Sequence, residues 1–261
     1  MAQILTGTSG FSFRDWKGTV YPPNLPPHQQ LEWYASRLPF VELNFTFYRM
    51  PESNTLSRMR SRVPEGFRFS VKAHGSLTHD RSRDWEREAG RLKDALNPMT
   101  ESGALICTLF QFPFSFKYTN ENRQYLAHLL DACRDTKPAV EFRHPDWIRN
   151  SVFEGLAERD VTLVCPDLPP IKDLPHVQPR ATSLLGYLRL HGRNVDNWWT
   201  GTNETRYHYR YSPGELRSIA DTARSIADDV DSLVVAFNNH FTGNAFHNAV
   251  ELQAILGTPG S

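Results

Sequence analysis

Short apolar runs alternate with segments of helical period along the whole of this 261-residue chain, and that alternation constrains its fold more than any other feature. Eight runs bounded by Gly, Pro, Asn or Asp fall at about 4–9, 40–46, 67–73, 104–112, 138–144, 161–166, 186–191 and 232–238, each the length of a buried strand. In residues 121–135 the apolar side chains Tyr125, Leu126, Leu129, Leu130 and Cys133 recur at helical spacing. In residues 212–230 the stripe is Leu216, Ile219, Ala220, Ala223, Ile226, Ala227 and Val230. Ser212, Pro213 and Glu215 open that second segment as cap, first-turn proline and capping-box partner. Further helices are expected near 28–38, 51–62, 84–96, 149–159 and 244–256, the last closed by Gly257. Residues 168–182 carry four prolines and read as a loop, so one crossover is degraded.

No Gly/Ser-rich or charged linker divides the chain. Strand and helix alternating in this way predict an α/β fold: a single (β/α)8 TIM-like barrel over residues 1–261, with long loops after strands 3 and 7. An open doubly wound sheet is the rival, but it calls for G-x-G-x-x-G after the first strand, where this chain reads GTSGFSF from Gly7 to Phe13.

Composition narrows the partners. Twenty-nine basic against 29 acidic side chains give no global positive field, which argues against nucleic acid while leaving room for a local basic patch. Cys107, Cys133 and Cys165 are far apart and set among apolar neighbours, as buried thiols in a reducing compartment would be. The opening ten residues lack a basic region and an apolar core, and no apolar run reaches about 18 residues. A cytoplasmic location without a membrane partner is the expectation.

Period-two parity then assigns side chains to the two faces of the barrel wall. Val41, Leu43, Phe67, Phe69, Val71, Val140, Phe142, Leu188 and Leu190 should face the helices. The opposite parity sends Glu42, Lys72, Glu141, Arg143, Arg189 and His191 into one enclosed volume. A barrel interior is normally aliphatic, so such charges either neutralise one another or line the carboxyl-terminal mouth where ligands enter. Arg68 and Arg189, early in their strands, suit the first role. Glu141, Arg143, His144, Asp167, His191, Asn238 and Asn239, at or just beyond strand ends, suit the second.

The residue types point to acid–base chemistry on a small polar ligand, anionic or sugar-like. His144 and His191 are expected as acid and base, with Glu141 and Asp167 as base or orienting carboxylates. Lys72 follows Phe69 and Val71, so its amine could be depressed far enough for a Schiff base; a counter-ion role for Lys72 and Arg143 is the preferred reading. Glu42, Glu141, Asp167 and His191 are ligand types for a divalent ion, but no H-x-H, HExxH or paired-Cys spacing supports one, so no metal ligand is assigned and the cofactor stays open. The loop 192–211 mixes Trp198, Trp199, Tyr207, Tyr209 and Tyr211 with Arg193, Arg206 and Arg210, which suits either stacking on bases or sugars or simple packing of a long loop. The polar segment 74–88 has the composition of a mobile lid. A non-catalytic binding barrel is the third alternative beside an enzyme of hydrolase, lyase or isomerase type and a nucleic-acid processor.

Seven ordered blocks carry a family resemblance: GTSGFSFRDWKGTVYP, VELNFTFYRMP, FRFSVK, LFQFPFSF, EFRHPDW, YLRLHG and FNNHFTGNAFHNA. Together the chain resembles the DUF72 (YecE-like) family over essentially its whole length. The resemblance implies a TIM barrel with a pocket at the strand carboxyl ends and supplies no established reaction; endonuclease IV is an analogy of fold alone. Carried onto this sequence, the family-like positions are Glu42, Asn44, Tyr48, Lys72, Gln111, Glu141, Arg143, His144, Trp147, Asp167, Arg189, His191, Asn238 and Asn239. Of these, Glu42, Asn44, Tyr48, Lys72, Gln111, Arg143, Trp147, Arg189, Asn238 and Asn239 are expected to contact substrate. Phe11, Phe13 and Ala236 depart from the family pattern, and the departures fall on the pocket rim.

Overall fold

In the computed structural model, which describes residues 2–81 and 83–257, eight parallel strands pair in sequence order and the eighth returns to the first, closing the ring. The strands are β1 (Gln3–Ser9), β2 (Phe40–Leu43), β3 (Arg68–Lys72), β4 (Leu105–Gln111), β5 (Pro138–Glu141), β6 (Thr162–Asp167), β7 (Leu185–Leu190) and β8 (Ser232–Phe237). Between them run α1 (Gln30–Ala35), α2 (Phe45–Tyr48), α3 (Ser53–Arg60), α4 (Gly75–Thr78), α5 (Trp85–Glu101), α6 (Asn120–Ala132), α7 (Asn150–Ala157), α8 (Asn203–Arg206) and α9 (Pro213–Ala227), and α10 (Asn244–Gly257) follows β8. The α/β barrel fold expected from the alternation is the fold observed. No helix occurs in the proline-rich connection 168–182, and no helix among the described residues is long and apolar enough to cross a membrane.

Parity holds on both faces of the wall. Val41, Leu43, Phe69, Val71, Val140, Phe142, Leu188 and Leu190 pack in the layer between barrel and helices. A separate inner cluster of Leu5, Phe40, Cys107, Leu109, Ala139, Val164, Tyr187, Val234 and Ala236 fills the lower barrel. Gly7 is required where β1 meets β2, since a Cβ there would lie 2.1 Å from the Phe40 carbonyl oxygen. All three cysteines are buried and unbridged.

Two strands stop three residues earlier than the sequence suggests. β2 ends at Leu43 because Phe45–Tyr48 turns into a helix, stapled by the Thr46 hydroxyl, which donates to the Leu43 carbonyl at 3.0 Å and the Lys72 carbonyl at 2.6 Å. β5 ends at Glu141, so Arg143 and His144 stand beyond the strand. α5 runs through Pro98 to Glu101, beyond the expected end at 96, and α10 includes Gly257 rather than stopping before it. The capping box on α9 is formed: Ser212 Oγ accepts from the Glu215 amide at 3.3 Å and Glu215 Oε2 from the Ser212 amide at 2.8 Å. The segment 74–88 is not a free lid where it is described: Leu77 is buried, its carbonyl accepts from Tyr125 Oη at 2.8 Å, and Ser82 lies outside the described residues.

Candidate functional site

Register sets the polar residues level at the carboxyl-terminal mouth: Ser9 pairs with Glu42, and Gln111 with Glu141. Arg189, from β7, reaches across the barrel to both carboxylates. It holds Glu42 at two points, Nε to Oε2 at 2.9 Å and Nη2 to Oε1 at 2.7 Å, and gives Nη1 to Glu141 Oε2 at 3.1 Å. Tyr187 adds its hydroxyl to Glu42 Oε2 at 2.5 Å while its ring meets Phe40 edge-on, so this one side chain joins the apolar floor to the charged layer. On the other side Arg143 Nε forms an ion pair with Glu141 Oε1. Arg143 Nη2 lies 3.1 Å from His191 Nε2. Glu42, Glu141 and His191 are fully buried.

Two carboxylates are thus matched by two guanidiniums. Burial works to raise both carboxyls, but Arg189 and Tyr187 at Glu42, and Arg143, Arg189 and His191 at Glu141, outweigh it and hold them below the usual range. His191 is pressed down to about 3 by burial and then by the Arg143 charge, so it is neutral near pH 7, with Asn238 Nδ2 3.0 Å from its Nδ1. The expectation that His191 alternates as acid and base near neutral pH does not match this setting. The cost of burying charges in these strands is met by mutual pairing rather than by solvent.

Above this layer lies a cavity of about 350 Å³. Seven of the residues expected to contact substrate line it: Asn44, Tyr48, Lys72, Gln111, Arg143, Arg189 and Asn238. Glu42, Glu141 and His191 sit beneath them as its buried support. Lys72 Nζ donates to Gln111 Oε1 at 2.9 Å and stands 4.4 Å from the Phe47 ring centroid. Among the described residues no carboxylate lies within ion-pair distance of it. Burial first, and then the neighbouring Arg189 charge, lower its amine to about 7 despite opposing attraction from Glu42 and Glu141. The buried Asn44 Oδ1 has no hydrogen-bond partner among the described residues.

Four expected site residues are placed elsewhere. His144 caps the turn at Pro145–Trp147, its Nδ1 accepting from the Asp146 amide at 3.2 Å. Trp147, at the end of that turn, is buried between Phe116 and Phe142 and donates Nε1 to the Phe116 carbonyl at 2.6 Å. Asp167 accepts from Arg193 Nη2 at 2.9 Å and from the Tyr211 hydroxyl at 2.6 Å, clamping the loop after β7. Asn239 gives Nδ2 to the Tyr209 carbonyl at 2.9 Å and to Asn248 Oδ1 at 3.0 Å. Sharing a barrel end is therefore not the same as sharing a cavity: residue 167 is the last of β6, yet its carboxylate turns to the loop.

The same clamp accounts for most of the aromatic loop. Arg193 also gives Nη1 to Glu215 at 3.0 Å, Arg210 pairs with Glu251, and Trp198 and Tyr211 are buried. Among the donors considered for a divalent ion, Glu42 and Glu141 are bound to guanidiniums and Asp167 lies outside the cavity; no group of three or more His, Cys, Asp or Glu side chains among the described residues is arranged to hold a metal. Sequence reading missed Ser9, Phe47 and His240 as lining residues, noted Phe13 only as a departure on the rim and Tyr207 only as a loop aromatic. Parity could have found Ser9. The stacking of Phe13 on His240, with centroids 4.4 Å apart, joins segments 227 residues apart and left no local signal.

The likeness to known proteins runs the length of the chain. Residues 5–261 match the family described as protein of unknown function DUF72. The UPF0759 protein YunF of Bacillus subtilis is 30% identical over 270 residues, covering 97% of this chain and 94% of that protein. A crystal structure of a DUF72 family protein from Thermotoga maritima superimposes with a TM-score of 0.89 at 37% identity, covering 98% of this chain and all of that one. Another from Enterococcus faecalis gives 0.87 at 26% identity, covering 99% of this chain and 97% of that one. A match from Leu5 to the last residue, together with the shared barrel, establishes that this chain belongs to the DUF72 family.

Proposed function

We propose that the protein is an enzyme that binds a small anion-bearing polar molecule in the mouth cavity and uses Lys72 as its acid–base group. The observation that carries this reading is the charge count around the cavity. Glu42 and Glu141 are neutralised by Arg189 and Arg143, and Lys72 is left as a cation whose partner is an amide rather than a carboxylate. A bound anion completes the pairing and favours the ammonium form; release of the anion returns the amine to a value near neutrality, where proton transfer in either direction is cheap. The cavity volume, about 350 Å³, is in the range of small-molecule sites. Nucleic acid as partner is the weaker reading, because Arg193 and Arg210 are committed to carboxylates of the chain itself.

The test is thermal unfolding with and without inorganic phosphate or sulfate. Wild type should be stabilised, more at pH 6 than at pH 9, and Lys72→Met should lose that response. Equal stabilisation of both proteins, or none in wild type across that range, would remove the reading.

A further inference from the structure

We propose that Lys72 acts as a covalent nucleophile, condensing with the carbonyl of a small oxo acid whose carboxylate is held by Arg143. This rests on the anion-binding reading of the cavity and adds the class of substrate and the bond that forms.

The geometry allows attack by nitrogen as well as charge pairing. A lysine that only binds an anion or a carboxylate keeps its proton; a nucleophilic one must be held in place while neutral. Gln111 does this: its Oε1 accepts from Nζ at 2.9 Å, and its own Nε2 is fixed to the Phe112 carbonyl at 3.0 Å, so the accepting oxygen faces the amine. An amide oxygen takes a hydrogen bond from an amine or an ammonium alike. Phe47 covers one side of Nζ at 4.4 Å and keeps water from that face. The amine's value near 7 is consistent with this environment.

The same cavity offers the other contacts. Arg143 commits Nε to Glu141 and Nη2 to His191, and among the described residues its Nη1 has no partner, leaving that amino group for a carboxylate. The unpartnered Asn44 Oδ1 can accept from the hydroxyl formed by addition.

The step balances without an oxidant or reductant. The Nζ lone pair attacks the carbonyl carbon, and the C=O π pair moves to oxygen, which takes a proton released from nitrogen. The nitrogen lone pair then forms the C=N bond as the hydroxyl, protonated once more, leaves as water. One amine and one carbonyl give one imine and one water; with the imine protonated, the site carries the same single positive charge as the original ammonium.

The experiment treats the whole protein at pH 7 with glyoxylate or pyruvate and sodium cyanoborohydride, which reduces the iminium to a stable secondary amine, and locates the modification by peptide mass mapping. Lys72 is one of six lysines. It should be labelled at least about tenfold faster than the others, since about half its amines are neutral at pH 7 while an ordinary lysine, near 10.4, is almost wholly protonated. Inorganic phosphate should slow the labelling, and Lys72→Arg should remove the fast site. Labelling spread evenly over the lysines, unchanged by phosphate, overturns the imine. If phosphate still stabilises wild type and not Lys72→Met, the anion reading survives that result; if it stabilises neither, both fall. Should Lys72→Arg fail to fold, the map of the wild-type protein decides alone.

Discussion

Lys72 and Gln111 are joined across neighbouring strands, the ammonium nitrogen donating to an amide oxygen at 2.9 Å in a layer where the neighbouring carboxylates are already paired with arginine. A half-buried lysine so placed is easier to deprotonate in the folded chain than in the unfolded one.

That difference has a sign in stability. Between pH 7 and 10.5 the unfolded chain binds more protons at Lys72 than the folded chain, so wild type should gain stability relative to Lys72→Met as pH rises through that window. The gain is at most about 1.4 kcal/mol per pH unit. Urea unfolding of both proteins at a series of pH values measures it, and parallel curves would mean that the Lys72 amine is not depressed.

Arg189 supports two buried carboxylates at once. Arg189→Met should cost about 3–5 kcal/mol, because Glu42 is left charged and buried. Adding Glu42→Leu should recover part of that loss. A double mutant less stable than Arg189→Met alone would show that Glu42 does not depend on this partner.

His191 titrates far below its ordinary value of 6.5, so stability should fall as pH drops from about 6.5 towards 4.5, before the carboxylates take up protons. His79, lowered to about 4 by burial and by Lys72, contributes in the same range. His191→Gln should flatten part of this slope and His79→Gln another part. Unchanged acid-side melts in His191→Gln would place the imidazole in a less buried setting.

Asp167 should behave as a clamp. Asp167→Asn is expected to lower stability by about 1–3 kcal/mol and to speed amide exchange in residues 192–211, while the phosphate-induced rise in melting temperature is kept. Loss of the phosphate response with the loop still protected would return Asp167 to the ligand site.

Binding to oligonucleotides should be weak and shallow in its salt dependence, with log K falling by far less than the 0.7–0.9 per phosphate, summed over several contacts, of a true nucleic-acid binder. Tight binding that survives about 0.15 M salt would favour the alternative partner.

The barrel was legible because its strands are buried on both faces and keep strict parity: Leu188 and Leu190 against Arg189 is enough to say which side is which. The charged set followed from the same rule. What parity cannot give is direction after the strand has ended. Arg143 and Asp167 both stand at carboxyl ends, yet one turns into the cavity and the other to a loop, and the deciding partners, Glu141 in one case and Arg193 with Tyr211 in the other, are chosen by tertiary packing. His144 caps a proline-led turn and Trp147 closes it, the first fixed by a local bond and the second by packing and a bond to Phe116, both away from the mouth.

The span between Arg189 and Glu42, 147 residues apart in the chain, bears on how the protein reaches its native state. These charges can be matched only when the second and seventh strands face each other across a finished ring. A chain that has assembled most of its strands and left the last gap open would hold carboxylates and a guanidinium half-desolvated and unmatched, which is worse than either the extended chain or the closed one. The polar layer therefore penalises partial assembly, and it should make closure an all-or-none event in which sequence-distant halves arrive together.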